Sequence, residues 1–225
     1  MTQTRQMPPS QAPRVWDLPI RLFQWLLVML FGLSWWSAET GHMDWHRLSG
    51  ETIMGLVVFR IIWGIIGSDT ARFSQFIRSP LRLIAYLRGQ SDDTIGHNPI
   101  GGYSVILLLM LLGIQIKSGL FAVDTDGLES GPLSYLVSFE QGRESAHFHH
   151  FSFNILLLLV LVHILAIGFY RVVRKRKLIP PMITGRDAQL PAGTAEMAPA
   201  PWWRLALAVG IAAATAWYVG HGLRF

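Results

Sequence analysis

The sequence contains no cysteine. That excludes disulfides, thiolate metal sites, iron–sulfur clusters and covalent CxxCH attachment of haem. A bound cofactor must then be held non-covalently, through His or other nitrogen and oxygen ligands. Charge is scarce as well: 15% of the 225 residues are charged, against about 25% in a soluble domain. The deficit is filled by apolar residues, 51% of the chain, with 9 Trp and 12 Phe. This is the composition of a helical membrane protein with interfacial aromatics. The sequence pI is near 10.0, but the basic residues lie beside apolar runs and read as topology signals rather than as a nucleic-acid surface.

Five apolar runs approach the roughly 20 residues that cross a bilayer: about 18–38, 46–66, 100–122, 147–171 and 202–219. Glu51 and Arg60 interrupt the second. The polar residues 1–14 read as a flexible N-terminal tail. No signal peptide is expected, because the first apolar run starts late, is long enough to span and lacks a small-residue cleavage site. Residues 187–201, rich in Pro and Ala, read as a linker to an accessory fifth span (202–225).

Orientation follows from Lys and Arg. The loop 67–99 holds Arg72, Arg78, Arg82 and Arg88, and the stretch after the fourth run holds Arg171, Arg174, Lys175, Arg176, Lys177 and Arg186. The other two loops carry Arg143 amid Glu39, Asp44, Asp124, Asp126, Glu129, Glu140 and Glu144. The positive-inside rule puts the N-terminus inside and the C-terminus outside.

An ionisable residue within an apolar span is costly and marks a candidate site. His149 and His163 are 14 residues apart on the fourth run. At 100° per residue that is roughly 40° short of four turns, so they share a face, about 21 Å apart along the axis. Two imidazoles so placed suit two stacked cofactors, one near each membrane surface. Arg60 follows His46 by 14 residues on the second run, in the same relation. His46 reads either as an interfacial helix-start residue or as a haem ligand opposite His149, giving six-coordinate low-spin iron. Arg60 reads either as an arginine snorkelling to the interface or as a counter-charge for the propionates of an inner haem. His97, in GHNPIGG, reads as a turn residue or a neighbour of a quinone or propionate. His42, His147 and His221 read as surface residues, and His150 is turned about 100° from His149.

The stretches VWDLPIRLFQW (15–25), HRLSGETIMGLVVFRIIWGIIGS (46–68), GHNPIGG (96–102), HHFSFNILLLLVLVHI (149–164) and PPMITGR (180–186), in this order, resemble the bacterial cytochrome b561 and nickel–iron hydrogenase b-type cytochrome family. The resemblance covers roughly 15–186. It implies an all-α four-helix membrane bundle with two non-covalent haem b groups, here followed by a fifth helix. It implies electron transport in the respiratory chain, between the membrane quinone pool and a periplasmic partner, a c-type cytochrome or a dehydrogenase or hydrogenase subunit. By the same resemblance His46 and His149 ligate the outer haem and His163 supplies one ligand of the inner. The chain departs from the pattern at Gln24, where the family has His; a carboxamide is a poor iron ligand, so the inner site is empty, five-coordinate on His163, or completed by Gln24 or water. Two other functions fit the same pattern. One is a stand-alone superoxide:quinone oxidoreductase, with Lys117 as the cation beside the outer haem. The other is a haem-based sensor or structural membrane anchor.

Overall fold

The computed structural model of the protein describes residues 12–89, 95–126, 129–191 and 193–224. They form helices α1 (Leu18–Glu39), α2 (Met43–Ile66), α3 (Phe73–Phe76), α4 (Pro80–Leu87), α5 (Pro99–Phe121), α6 (Phe139–Val172), α7 (Ile179–Thr184) and α8 (Trp202–Gly220), with no strand longer than an isolated bridge among the described residues. The expected five spans are α1, α2, α5, α6 and α8, each long and apolar enough to cross a membrane. Large side chains such as Leu158, Leu161 and Leu165 stay half or more exposed, which suits hydrocarbon and would be a liability in water. Of the expected mobile tail, residues 1–11 lie outside the described residues; Arg14 bridges to Arg186.

Two boundaries differ from the hydropathy reading. α2 starts at Met43, and α6 starts at Phe139, eight residues ahead of the apolar run beginning at 147. The cause at α6 is a capping box: Ser138 Oγ accepts from the Gln141 amide, and the Gln141 side chain accepts from the Ser138 amide. This satisfies two free N–H groups and starts the helix in polar sequence. The basic loop 67–99, read as a connection, also contains α3 and α4. Ser79 precedes Pro80 at the first position of α4, where proline's fixed φ suits a helix start.

α2 is the central helix: half of its apolar window is buried, against 11% in α1, α6 and α8. α1 pairs with it across a tight turn, with Gly41 at φ 73°. α5 and α6 form a second pair, and α2 joins it through a cluster of Ile53, Val57, Leu112 and Leu156. α8 runs antiparallel along α2. Its Ala212 and Ala216 lie so close to Gly55 that an added Cβ there would sit 3.2 Å from Ala216 Cβ, and Arg204 donates to the Ile66 carbonyl at 3.2 Å. Small residues at such a contact let helices approach closely, the usual basis of association in lipid.

One end of the bundle is basic, the other acidic. At the basic end the VWD and MITGR stretches are stitched together. Val15 and Trp16 amides donate to the Gly185 carbonyl, Arg21 to Ile183 O and Trp25 to Met182 O. Gly185 ends α7 at φ 80°, where a Cβ would meet Trp16 O at 2.8 Å, so a side chain there would be doubly penalised. Asp17, 8% exposed, accepts from Ile20 N, Trp63 Nε1 and Ser68 Oγ. It thereby caps α1 and fastens it to the far end of α2. At the acidic end Tyr135 donates to Gly222 O at 2.6 Å, tying the end of α8 to the loop after α5.

Candidate functional site

The turn 40–42 folds α2 back along α1 and sets His46, in the first turn of α2, beside Ser34. The His46 Nδ1–H donates to the Ser34 carbonyl at 2.9 Å, with Ser34 Oγ at 3.2 Å. The early start of α6 carries His149 into the bundle about three turns from its end. There its Nδ1–H donates to the Gln115 carbonyl on α5 at 2.9 Å, with Ser118 Oγ at 3.2 Å. Each Nδ1 is thus committed as a donor, which leaves each Nε2 as the nitrogen with a lone pair, the tautomer a metal ligand needs. The His149 Nε2 accepts from the Gln115 carboxamide at 3.0 Å, and that carboxamide accepts from Ser152 Oγ at 2.5 Å.

The His46 and His149 rings meet edge to face, from α2 and α6, with centroids 6.0 Å apart and planes at 87°. Two metal–imidazole bonds of about 2.0–2.1 Å, plus roughly 1.1 Å from nitrogen to ring centre on each side, give about 6.3 Å. The separation therefore fits one metal atom shared between two imidazoles. Among the described residues no group of three or more His, Asp or Glu converges on a metal position; a pair of imidazoles is the protein ligand set of a six-coordinate haem iron. Loading would cost the Gln115 amide its bond to Nε2.

Below this pair, Ile53 and Leu156, each seven residues on from its histidine, close an apolar layer with Val57 and Leu112. The basic-end layer follows. His163 Nδ1 lies 3.4 Å from Ser104 Oγ on α5. Arg60 does not snorkel. It is 3% exposed, donates to Ala71 O at 3.1 Å and lies 4.8 Å from the Phe73 ring centre. The loop 69–76 folds over it. Gln24 is half-buried on α1. His97 is packed between Trp16 and Phe76, both ring centroids at 4.7 Å. Burial, and then the charges of Arg60 and His163, push its pKa down to about 3. Lys117 is exposed on α5, while Arg47 at the same end is engaged by Asp44 and Glu129, each at 2.7 Å. His42, His147 and His221, read as surface residues, are exposed, and so is His150.

Sequence reasoning singled out the histidines but missed Ser34, Gln115 and Ser118, which hold them. Their signal was present: buried-looking polar residues within apolar spans, on the two helices that carry no ligand of this pair.

The family model of prokaryotic cytochrome b561 matches residues 15–185. A probable Ni/Fe-hydrogenase B-type cytochrome subunit of Cupriavidus necator is 19% identical over 211 residues, covering 78% of this chain and 86% of that one. No solved structure matches. With the family model spanning all four helices of the bundle and both histidine layers, the chain belongs to the prokaryotic cytochrome b561 family.

Proposed function

We propose that this b-type cytochrome holds one haem b between His46 and His149, and passes electrons between the membrane quinone pool and a periplasmic redox partner. The observation that carries the reading is the His46–His149 pair: two imidazoles 6.0 Å apart, each with its Nδ1 tied to a backbone carbonyl. Bound haem b supplies a one-electron iron couple; the chain supplies ligands, depth and dielectric. The Ser34 and Gln115 carbonyls fix ring orientation and tautomer. The apolar layer of Ile53, Val57, Leu112 and Leu156 keeps water from the space between the two layers.

A second haem at the basic end rests on His163 alone, because Gln24 offers only a carboxamide. Arg60 is buried at the same end, against the Ala71 carbonyl and the Phe73 ring, and is the cation there that propionates would pair with. An open apolar trough of about 510 Å³ where α4, α5 and the end of α6 meet, at the same end, is lined by Ile100, Leu165 and Phe169 with Tyr86, Tyr170 and Arg174 as its polar groups. Its size and lining suit a quinone. The distribution of Lys and Arg supports a cytoplasmic basic end, with His46 and His149 near the periplasmic face. There the acidic loops favour a basic partner such as a c-type cytochrome.

The test uses the purified haem-loaded protein in proteoliposomes. Quinol should reduce the haem, and an added basic c-type cytochrome should reoxidise it at a rate that falls with salt. Failure of both steps overturns the reading. Quinone reduction by superoxide with no partner present would favour the stand-alone enzyme instead.

A further inference from the structure

Five serines are buried among the described residues: Ser37, Ser49, Ser68, Ser118 and Ser152. Ser68 serves Asp17. The other four surround the histidine pair, and two of them, Ser37 and Ser118, are matched. Ser37 lies three residues after Ser34 and donates to its carbonyl at 3.0 Å; Ser118 lies three residues after Gln115 and donates to its carbonyl at 2.9 Å. Ser49 stands in the same relation to His46 and donates to its carbonyl at 3.0 Å, whereas Ser152, three residues after His149, gives its proton to the Gln115 carboxamide at 2.5 Å. The α1–α2 and α5–α6 pairs therefore build the same half-site twice, from unrelated sequence. A carbonyl on one helix receives the imidazole Nδ1–H and a serine hydroxyl together.

From this duplication we infer that Ser37 and Ser118 are positioning residues that set the donor strength of the two axial imidazoles. The inference rests on the reading that haem is held between His46 and His149. A carbonyl oxygen has two lone pairs, and within a helix one is already drawn into the ladder. A hydroxyl donated to the same oxygen competes with Nδ1–H for its remaining electron density. The imidazole then gives up less of its proton, carries less imidazolate character and donates less to iron, which favours the ferrous state. Outer partners of a ligating His act in this way on ligand basicity. Removing the hydroxyl leaves a better acceptor, a more anionic imidazole and a more stable ferric state; at Ser118, whose Oγ also lies 3.2 Å from His149 Nδ1, the gain at the shorter 2.9 Å carbonyl bond outweighs the loss of that contact. A serine bonded to its own helix, three residues back, is also an ordinary way to satisfy a hydroxyl in lipid. Ser49 is in that position and serves as an internal control. It is as buried as Ser37, and its bond goes to the His46 carbonyl, not to the acceptor of Nδ1–H.

The experiment is a redox titration and an electron paramagnetic resonance spectrum on the full-length haem-loaded protein, with Ser37→Ala, Ser118→Ala, the double variant, Ser118→Thr and Ser49→Ala. Each of Ser37→Ala and Ser118→Ala should keep the wild-type haem content. Each should shift the ferric/ferrous ratio two- to tenfold toward ferric, a midpoint lower by about 20–60 mV for a one-electron couple. The double variant should show the summed shift. Ser118→Thr and Ser49→Ala should titrate as wild type. Midpoints that do not move, or a Ser49→Ala shift as large as the others, overturn the inference while leaving the haem assignment intact. Loss of haem from both alanine variants overturns it in favour of a purely structural role. A wild-type protein without a bis-imidazole signal removes the reading beneath it.

Discussion

Asp17→Ala tests how the bundle is fastened. The carboxylate accepts from the Ile20 amide at 2.8 Å, from Trp63 Nε1 at 2.9 Å and from Ser68 Oγ at 2.5 Å. Loss of the cap costs about 1 kcal/mol. Trp63 and Ser68 are 2% and 1% exposed, so water cannot replace the lost acceptor, and each orphaned donor costs about 1–3 kcal/mol. Allowing for relaxation, the total is about 4 kcal/mol, or a melting temperature lower by about 10 °C for a chain of this size. Asp17→Asn keeps an oxygen for the cap but turns an amide toward two donors, and should lose roughly half as much. In a Trp63→Phe background the Asp17→Ala loss should shrink by about 1–2 kcal/mol, the coupling of a direct pair. The assay is thermal unfolding in detergent, followed by tryptophan fluorescence. If Asp17→Ala melts within about 2 °C of wild type, the carboxylate does not fasten α1 to α2 and the structural reading of the VWD stretch is wrong.

Gln24→His should supply the imidazole missing from the basic-end layer, adding a low-spin haem signal or converting a high-spin one; unchanged haem content and spectrum would refute the role given to position 24. His97 predicts a pH dependence of stability. Its folded pKa, about 3, lies below the unfolded value of about 6.5, so the stabilisation is complete above pH 6.5 and is lost as pH falls toward 3, by up to about 1.4 kcal/mol per pH unit. His97→Gln should flatten that slope in acid unfolding measurements, and an unaltered slope would count against it. Gly64→Ala would drive a methyl into the Phe73 ring, which lies under Arg60. It should cost about 1–3 kcal/mol in thermal stability, and a neutral result would contradict the packing of loop 69–76.

The spans were legible because hydrocarbon leaves a strong signal, a run of about 20 apolar residues. The capping box at Ser138 and the short α4 were not, because polar helical turns lie outside any hydropathy window. His46 and His149 were legible as ionisable residues near or within spans, and their shared level followed from loop charge. What no spacing could give was which polar residues on α1 and α5 meet them, since that depends on how the two helix pairs rotate. Arg60 shows the same limit. The sequence left it at the interface or at a propionate, and only the path of 69–76 reveals that it is enclosed by Phe73, Phe76 and the Ala71 carbonyl.

The central claim is an iron porphyrin held between α2 and α6 near the acidic end. The most direct measurement is the reduced-minus-oxidised and paramagnetic resonance spectra of purified His149→Ala beside wild type. The wild-type protein should show low-spin haem b with two imidazole ligands, and the variant should lose that signal. A variant spectrum indistinguishable from wild type would contradict the account.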